Sequence, residues 1–278
     1  MDFKPIDISM KQMVEHYTAK WKLECSEYTF SNLLMWGCGG NIMLAEDEQA
    51  LYILLRWGNE RFMFAPLTVE PESEYYQTAL DKAAEYMSTH GIDPIFKGIS
   101  GPIKAAFERC TGYELIDDRN NSDYVYTMES LRDLAGKKLH AKRNHIHQFM
   151  AQYGERYEYV KITGDMMGEC VDVYNEWLSE KSPDETDNME LCAIKTLLMH
   201  MDVLGIRGGG IRIDGKLAAF TLGQKMDDNM AVVHIEKADN EIMGLYTVIN
   251  NQFVQHELTD VKFCLLYTSP SPRDRQKS

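Results

Sequence analysis

Two stretches of this sequence hold residue types that could do chemistry. The first, LAGKKLHAKRNHIHQFMAQYG, covers residues 134–154: 21 residues without an acid, in a chain that has 43. It carries Lys137, Lys138, Lys142 and Arg143 together with His140, His145 and His147. Residues three and four apart are neighbours on a helix, so a helix from about Lys137 to Tyr153 would align Lys138, Lys142 and His145. Leu139, Ile146, Phe149 and Tyr153 would then supply the opposite, buried face. Concentrated cations on an acidic protein suit an anion such as a phosphate or the end of an RNA strand. They equally describe a solvated face whose cations pair with carboxylates elsewhere. The interleaved aromatics of a single-strand binder are missing.

The second stretch is VVHIEKADNEIMGLYTVINNQF, residues 232–253. On a regular strand His234, Glu236 and Ala238 face one side, and Ile235 and Lys237 the other. A carboxylate beside an imidazole on a half-buried strand can have a raised pKa and act as a base. The loop Asp239 to Gly244 then feeds a helix whose first amides are unpaired, a place to hold an anion. The bland alternative is that His234 and Glu236 pair with Lys or Arg across the sheet and only hold it together.

Other patterns point away from familiar chemistries. The eight histidines form no HExxH or similar ligand spacing, so no metal site is expected. No GxSxG or Walker-type loop occurs, which disfavours serine hydrolases and P-loop nucleotide hydrolases. Arg207-Gly208-Gly209-Gly210 lacks the GxGxxG spacing and opens a strand, so it reads as a bulge. Gly98 to Pro102 reads as a helix start, with Ser100 as cap. Six cysteines without a CxxC pair read as buried or free thiols of a cytoplasmic protein.

The elements that must position these residues come in two similar runs. Helices are expected at Met10–Trp21 and Phe30–Trp36, followed by strands at Asn41–Ala45, Leu51–Trp57 and Arg61–Ala65. A helix from Pro71 to His90 carries a Tyr76, Leu80, Ala83, Ala84, Met87 stripe and stops at Gly91. A strand at Pro94–Ile99, a helix at Pro102–Cys110, and strands at Tyr113–Ile116 and Tyr124–Met128 follow. The second run has a helix at Lys137–Tyr153, a strand at Tyr157–Ile162, and helices at Asp165–Ser179 and Met189–Val203. Strands at Ile206–Ile213, Leu217–Gln224 and Met230–Ala238 come next, with Asp214-Gly215 as a two-residue hairpin. A helix from Leu245 to His256 and a strand near Val261 close the order. Helices, an antiparallel meander, a helix and a strand make an α+β layered domain, occurring twice. The polar cluster Asp117 to Ser122 puts the boundary near residues 120–135 and the domains at 1–125 and 126–263.

Composition frames these readings. The 278 residues are 44% hydrophobic and 26% charged with a net charge of −14, ordinary for a globular protein. The last fifteen residues, CLLYTSPSPRDRQKS, have no apolar period and resemble a translated sequencing adapter. Residues 264–278 are therefore expected to be a non-native tail replacing the true C-terminus. Without them the chain has 26 basic and 42 acidic residues, net −16. Such a protein repels generic nucleic acid and anionic membrane except where positive charge is local. No apolar run approaches a membrane span and no signal peptide is visible.

Four segments carry a family resemblance: SEYTFSNLLMW (26–36), DRNNSDYVY (118–126), GKKLHAKRNHIHQF (136–149) and residues 232–253. They resemble the uncharacterised cytosolic relatives of the phosphatidylglycerol lysyltransferase C-terminal domain, across essentially residues 1–263. The resemblance implies two tandem GNAT-type folds and an acyl- or aminoacyl-transferase. The donor it implies is phosphate-bearing, aminoacyl-tRNA or acyl-CoA, and the acceptor a small molecule or lipid headgroup offering an amine or hydroxyl. Glu236 would be the base, Tyr246 the proton donor to the leaving group, and Asn250 the residue that orients the acceptor. Gly244, with Lys138, Lys142, Arg143 and His145, would meet the donor's phosphates. Gly244 is the single glycine of its loop, where acetyl-CoA-using GNAT proteins resemble Q/R-x-x-G-x-G/A. That difference keeps two alternatives: a non-catalytic binding or regulatory protein on a degenerate GNAT scaffold, and an acetyl-CoA-dependent N-acetyltransferase.

Overall fold

Each half of the chain lays an antiparallel meander beside one parallel strand delivered by a helical crossover. The structure, a computed structural model, describes residues 1–118, 123–179 and 185–266. Its contacts separate two compact units on either side of residues 119–120.

The first unit contains β1 (Lys4–Pro5), α1 (Lys11–Trp21), α2 (Phe30–Trp36), β2 (Ile42–Glu46), β3 (Ala50–Trp57) and β4 (Glu60–Phe64). It continues through β5 (Leu67–Thr68), α3 (Tyr75–Thr89), β6 (Phe96–Lys97) and α4 (Gly101–Phe107). The strand order is β1-β2-β3-β4-β6, with β5 paired to β3. Only the β4–β6 pair is parallel, and α3 makes the crossover between them. The α3 stripe works as its spacing requires: Tyr76, Ala79, Leu80, Ala83 and Met87 are buried, and the last three alanine and methionine positions pack on Tyr52, Leu54 and Met63. Thr29 caps α2 by accepting from the Asn32 amide at 3.3 Å. Two expected strands shrink or vanish. The strand at Pro94–Ile99 is reduced to Phe96–Lys97, and Tyr113–Ile116 forms none. Tyr113 instead donates its hydroxyl to Asp81 at 2.8 Å, and Ile116 is 81% exposed.

The second unit contains β7 (Tyr124–Thr127), α5 (Met128–Asp133), α6 (His140–Tyr153), β8 (Tyr157–Lys161), α7 (Met167–Ser179) and α8 (Glu185–Met199). Then come α9 (Met201–Leu204), β9 (Ile206–Ile213), β10 (Lys216–Lys225), β11 (Met230–Ala238), α10 (Leu245–Glu257) and β12 (Phe263–Leu266). The order is β7-β12-β11-β10-β9-β8, and β11–β12 is the parallel pair, joined through α10. Asp214 and Gly215 both have left-handed φ, 51° and 83°, as a tight two-residue hairpin requires.

The Gly208–Gly210 run is no bulge, because β9 stays in register there with β10. The glycines clear space for neighbours. A Cβ on Gly209 would stand 2.2 Å from the Tyr159 hydroxyl, and one on Gly208 2.8 Å from Ile162 Cβ. The bulge that matters lies in β11. Leu222 pairs with Ile235 and Gly223 with Val233, so His234 is an extra residue. On one side of it Ala231 and Val233 pack with Phe253 and Val254 of α10; on the other Ala238 packs with Leu245, Val248 and Ile249 of α10. The expected sharing of one side by His234, Glu236 and Ala238 rested on unbroken alternation, which the bulge interrupts.

β12 carries the strand expected from Phe263 on through Cys264, Leu265 and Leu266, with Cys264 and Leu265 buried. The first three residues set apart as a tail therefore lie in the sheet. Residues 267–278, with Pro270 and Pro272, lie outside the described residues. Cys110, Cys170 and Cys264 are free thiols. Among the described residues no helix is long and apolar enough to cross a membrane, and no group of three His, Cys, Asp or Glu could hold a metal.

Candidate active site

Glu236 follows the β11 bulge by two residues and is turned toward α10. Its Oε2 accepts from the Asn250 side-chain amide at 3.0 Å and from the Thr221 hydroxyl at 3.3 Å. Thr221 is its cross-strand partner on β10. Part of Glu236 remains accessible to solvent, yet its surroundings are dense. Burial pushes its pKa up to about 7, against the lowering effect of Asn250, Thr221 and the Lys142 charge. Among the described residues no cation forms an ion pair with it. A carboxylate with a pKa near neutrality, held by neutral donors, can take and return a proton.

Tyr246 stands one helical turn before Asn250 on α10. Its hydroxyl lies by the Ala238 amide and the Trp177 indole, and burial, with Glu236 and Glu190 nearby, raises its pKa to about 12. At neutral pH it is a proton donor, not a base. Beyond it, Lys237 leaves β11 on the side away from Glu236. Its ammonium pairs with Glu190 at 2.9 Å and stands 3.5 Å from the Trp177 ring centroid. Thr221, Trp177 and Glu190 were not singled out from sequence. Thr221 depends on a register that the bulge shifts, and the other two sit on helices whose spacing signals only amphipathicity.

The basic stretch divides once it is folded. A single tight turn, Lys137–Leu139, precedes α6, so Lys138 is not on the helix with Lys142 and His145 as expected. The tighter turn breaks the α-helical spacing on which that stripe depended. Arg143 donates to the backbone carbonyls of Leu134 and Gly136, the second at 2.8 Å, and so braces the entry to α6. Lys142 is exposed, and its charge acts on Glu236. His145 Nδ1 lies 3.5 Å from the Thr247 hydroxyl in the first turn of α10. Gly244 precedes that turn with φ 85°, and a Cβ there would lie 2.3 Å from the His145 carbonyl oxygen. The glycine thus has a packing reason of its own. His234 is buried, its Nε2 has no hydrogen-bond partner among the described residues, and burial lowers its pKa to about 4. It is a neutral core imidazole, and among the described residues no Lys or Arg bonds to it.

Comparison with known proteins completes the picture. The family model described as phosphatidylglycerol lysyltransferase, C-terminal, matches residues 19–270. A conserved protein of unknown function from Bacteroides thetaiotaomicron is 28% identical, with a TM-score of 0.81 over 95% of this chain and 89% of that one. L-PGS from Bacillus licheniformis is 13% identical, with a TM-score of 0.59 over 96% of this chain and 81% of that one. A tandem GNAT protein from the clavulanic acid biosynthesis pathway is 12% identical, with a TM-score of 0.52 over 99% and 92% of the two chains. At the two lower identities the likeness is one of fold: tandem GNAT-like α+β domains. No curated protein matches the chain.

Proposed function

Because the chain belongs to the phosphatidylglycerol lysyltransferase C-terminal family, we propose that its second unit moves an acyl or aminoacyl group onto an amine or hydroxyl, with Glu236 as general base. Family and fold point to an aminoacyl- or acyl-transferase. The observation that carries the assignment is the Glu236 carboxylate, poised near pH 7 and bound by Asn250 and Thr221, with no ion pair among the described residues. A non-catalytic scaffold gives no reason to keep a partly accessible carboxylate so far from its ordinary pKa.

In this reading the acceptor's nitrogen or oxygen attacks the donor carbonyl as Glu236 takes its proton. The tetrahedral intermediate collapses, the bond to the donor's leaving group breaks, and that group takes a proton. In this reading Tyr246, protonated at neutral pH, donates that proton. Asn250 fixes the carboxylate and faces the acceptor. The donor is phosphate-bearing, aminoacyl-tRNA or acyl-CoA, met by the exposed Lys138 and Lys142 on a chain otherwise rich in acids. The acceptor is a small molecule or a lipid headgroup. Transfer assays pairing acyl-CoA and charged tRNA with amine and hydroxyl acceptors test this directly. Turnover should fall about 10²-fold or more in Glu236→Gln; unchanged turnover would reject Glu236 as base.

A further inference from the structure

Arg56 and Arg61 are Cα partners across the β3–β4 ladder in the first unit. Tyr52 and Leu54 of β3 and Met63 of β4 lie in the core beneath α3, and alternation puts both arginines on that same face at the sheet's end. There they line a cleft of about 250 Å³ with Gly40, Asn41, Met43 and Leu54. Like charges directly opposite each other destabilise a sheet. No carboxylate offsets the pair among the described residues, although the chain has 43 acids. The nearest in sequence, Glu60, is bound to Lys97 at 2.9 Å. Arg56 is aimed by neutral groups instead. Its Nε and Nη2 donate to Asn41 Oδ1 at 3.2 and 3.0 Å, and Nη2 also reaches the Gly39 carbonyl at 3.5 Å. Those contacts aim the exposed guanidinium and leave it without an ion pair among the described residues.

We propose that Arg56 and Arg61, with Asn41 positioning the first, form a binding site for a phosphomonoester dianion, separate from Glu236 and its chemistry. Two guanidinium forks ask for a ligand with two charges and several acceptor oxygens, which a phosphomonoester supplies and a monocarboxylate does not. Met43 and Leu54 form an apolar floor beside the cations, suited to the carbon that bears the phosphate.

Thermal melting of the full chain at constant ionic strength tests the site, with inorganic phosphate, glycerol 3-phosphate and acetate as probes. Both phosphate probes should raise the melting temperature saturably, by roughly 2–4 °C near ten times their Kd, and acetate should not. Tighter binding of glycerol 3-phosphate means that the ester carbon is read too; equal binding means that the phosphate alone is read. Arg61→Gln should abolish both shifts while melting no lower than the wild type without ligand, because it removes a like-charge contact. Arg56→Gln should behave similarly. The proposal fails if neither phosphate probe gives a saturable shift, if acetate matches them, or if Arg61→Gln responds as the wild type does. None of these outcomes touches the assignment of Glu236.

Discussion

The carbonyl oxygen of His145 occupies the place where Gly244 would carry a side chain, 2.3 Å from an ideal Cβ. Two helices, α6 and α10, therefore meet backbone to backbone at the start of α10. Gly244→Ala meets both a left-handed φ and a backbone clash that no rotamer relieves. It should cost about 2–3 kcal/mol, read as a lower urea midpoint at unchanged slope.

The pH dependence of transfer should show Glu236 directly. Activity rises with pH through about 7 as the carboxyl ionises and becomes a base. Asn250→Ala removes a hydrogen bond that favours the ionised form, so the rising limb should move to higher pH. Rate profiles at saturating substrate distinguish this shift from a simple loss of rate.

Stability gives a second reading of the same group. Its pKa is raised from 4.5 to about 7 in the fold, so folding favours its protonated form. That contribution is present below pH 4.5 and is lost as pH rises through 7. Glu236→Gln should thus gain stability relative to the wild type above pH 7 and none below pH 4.5, by chemical denaturation across that range.

His234 has the opposite sign. Burial lowers its pKa from 6.5 to about 4, so the neutral fold is favoured above pH 6.5 and that stability drains away as pH falls through 4. His234→Leu should flatten the acid side of the stability profile between those values. An acid limb identical to the wild type would mean that another group governs it.

The two basic residues next to each other on α6 should respond differently. Lys142→Ala should weaken donor binding, more strongly at low salt, since an exposed charge acts through a screened field. Arg143→Ala should lower stability by about 1–3 kcal/mol with no salt-dependent change in donor binding, because its guanidinium holds the carbonyls of Leu134 and Gly136.

Local rules made much of this architecture readable from the chain. Asp214-Gly215 marked its hairpin and the α2 limits Phe30–Trp36 coincide with the apolar spacing, whereas the strand read as half-buried around Glu236 is buried at every position except Glu236 itself. The readings that failed depend on partners distant in sequence. The Gly208–Gly210 run answers to Tyr159 and Ile162 across β8 and its end. The short α5 helix at Met128–Asp133 was not expected, and only its first residue fell within the expected strand Tyr124–Met128, since six residues are too few to display a period. Thr221 could not be matched to Glu236 before the extra residue at His234 was known.

That extra residue also governs how the chain can change length. Val233 and Glu236, three positions apart, both face α10 because the bulge takes up one residue between them. Deleting His234 would restore perfect alternation. Val233, Ile235, Glu236 and Lys237 would then stay opposite Gly223, Leu222, Thr221 and Phe220, so Glu236 would still face α10. The turns at residues 214–215 and 226–229 lie outside this constraint, because length added there leaves the strand's parity intact. Within β11, the loss of one residue between Val233 and Glu236 is taken up by the bulge with the carboxylate still facing α10, whereas a residue gained there is not.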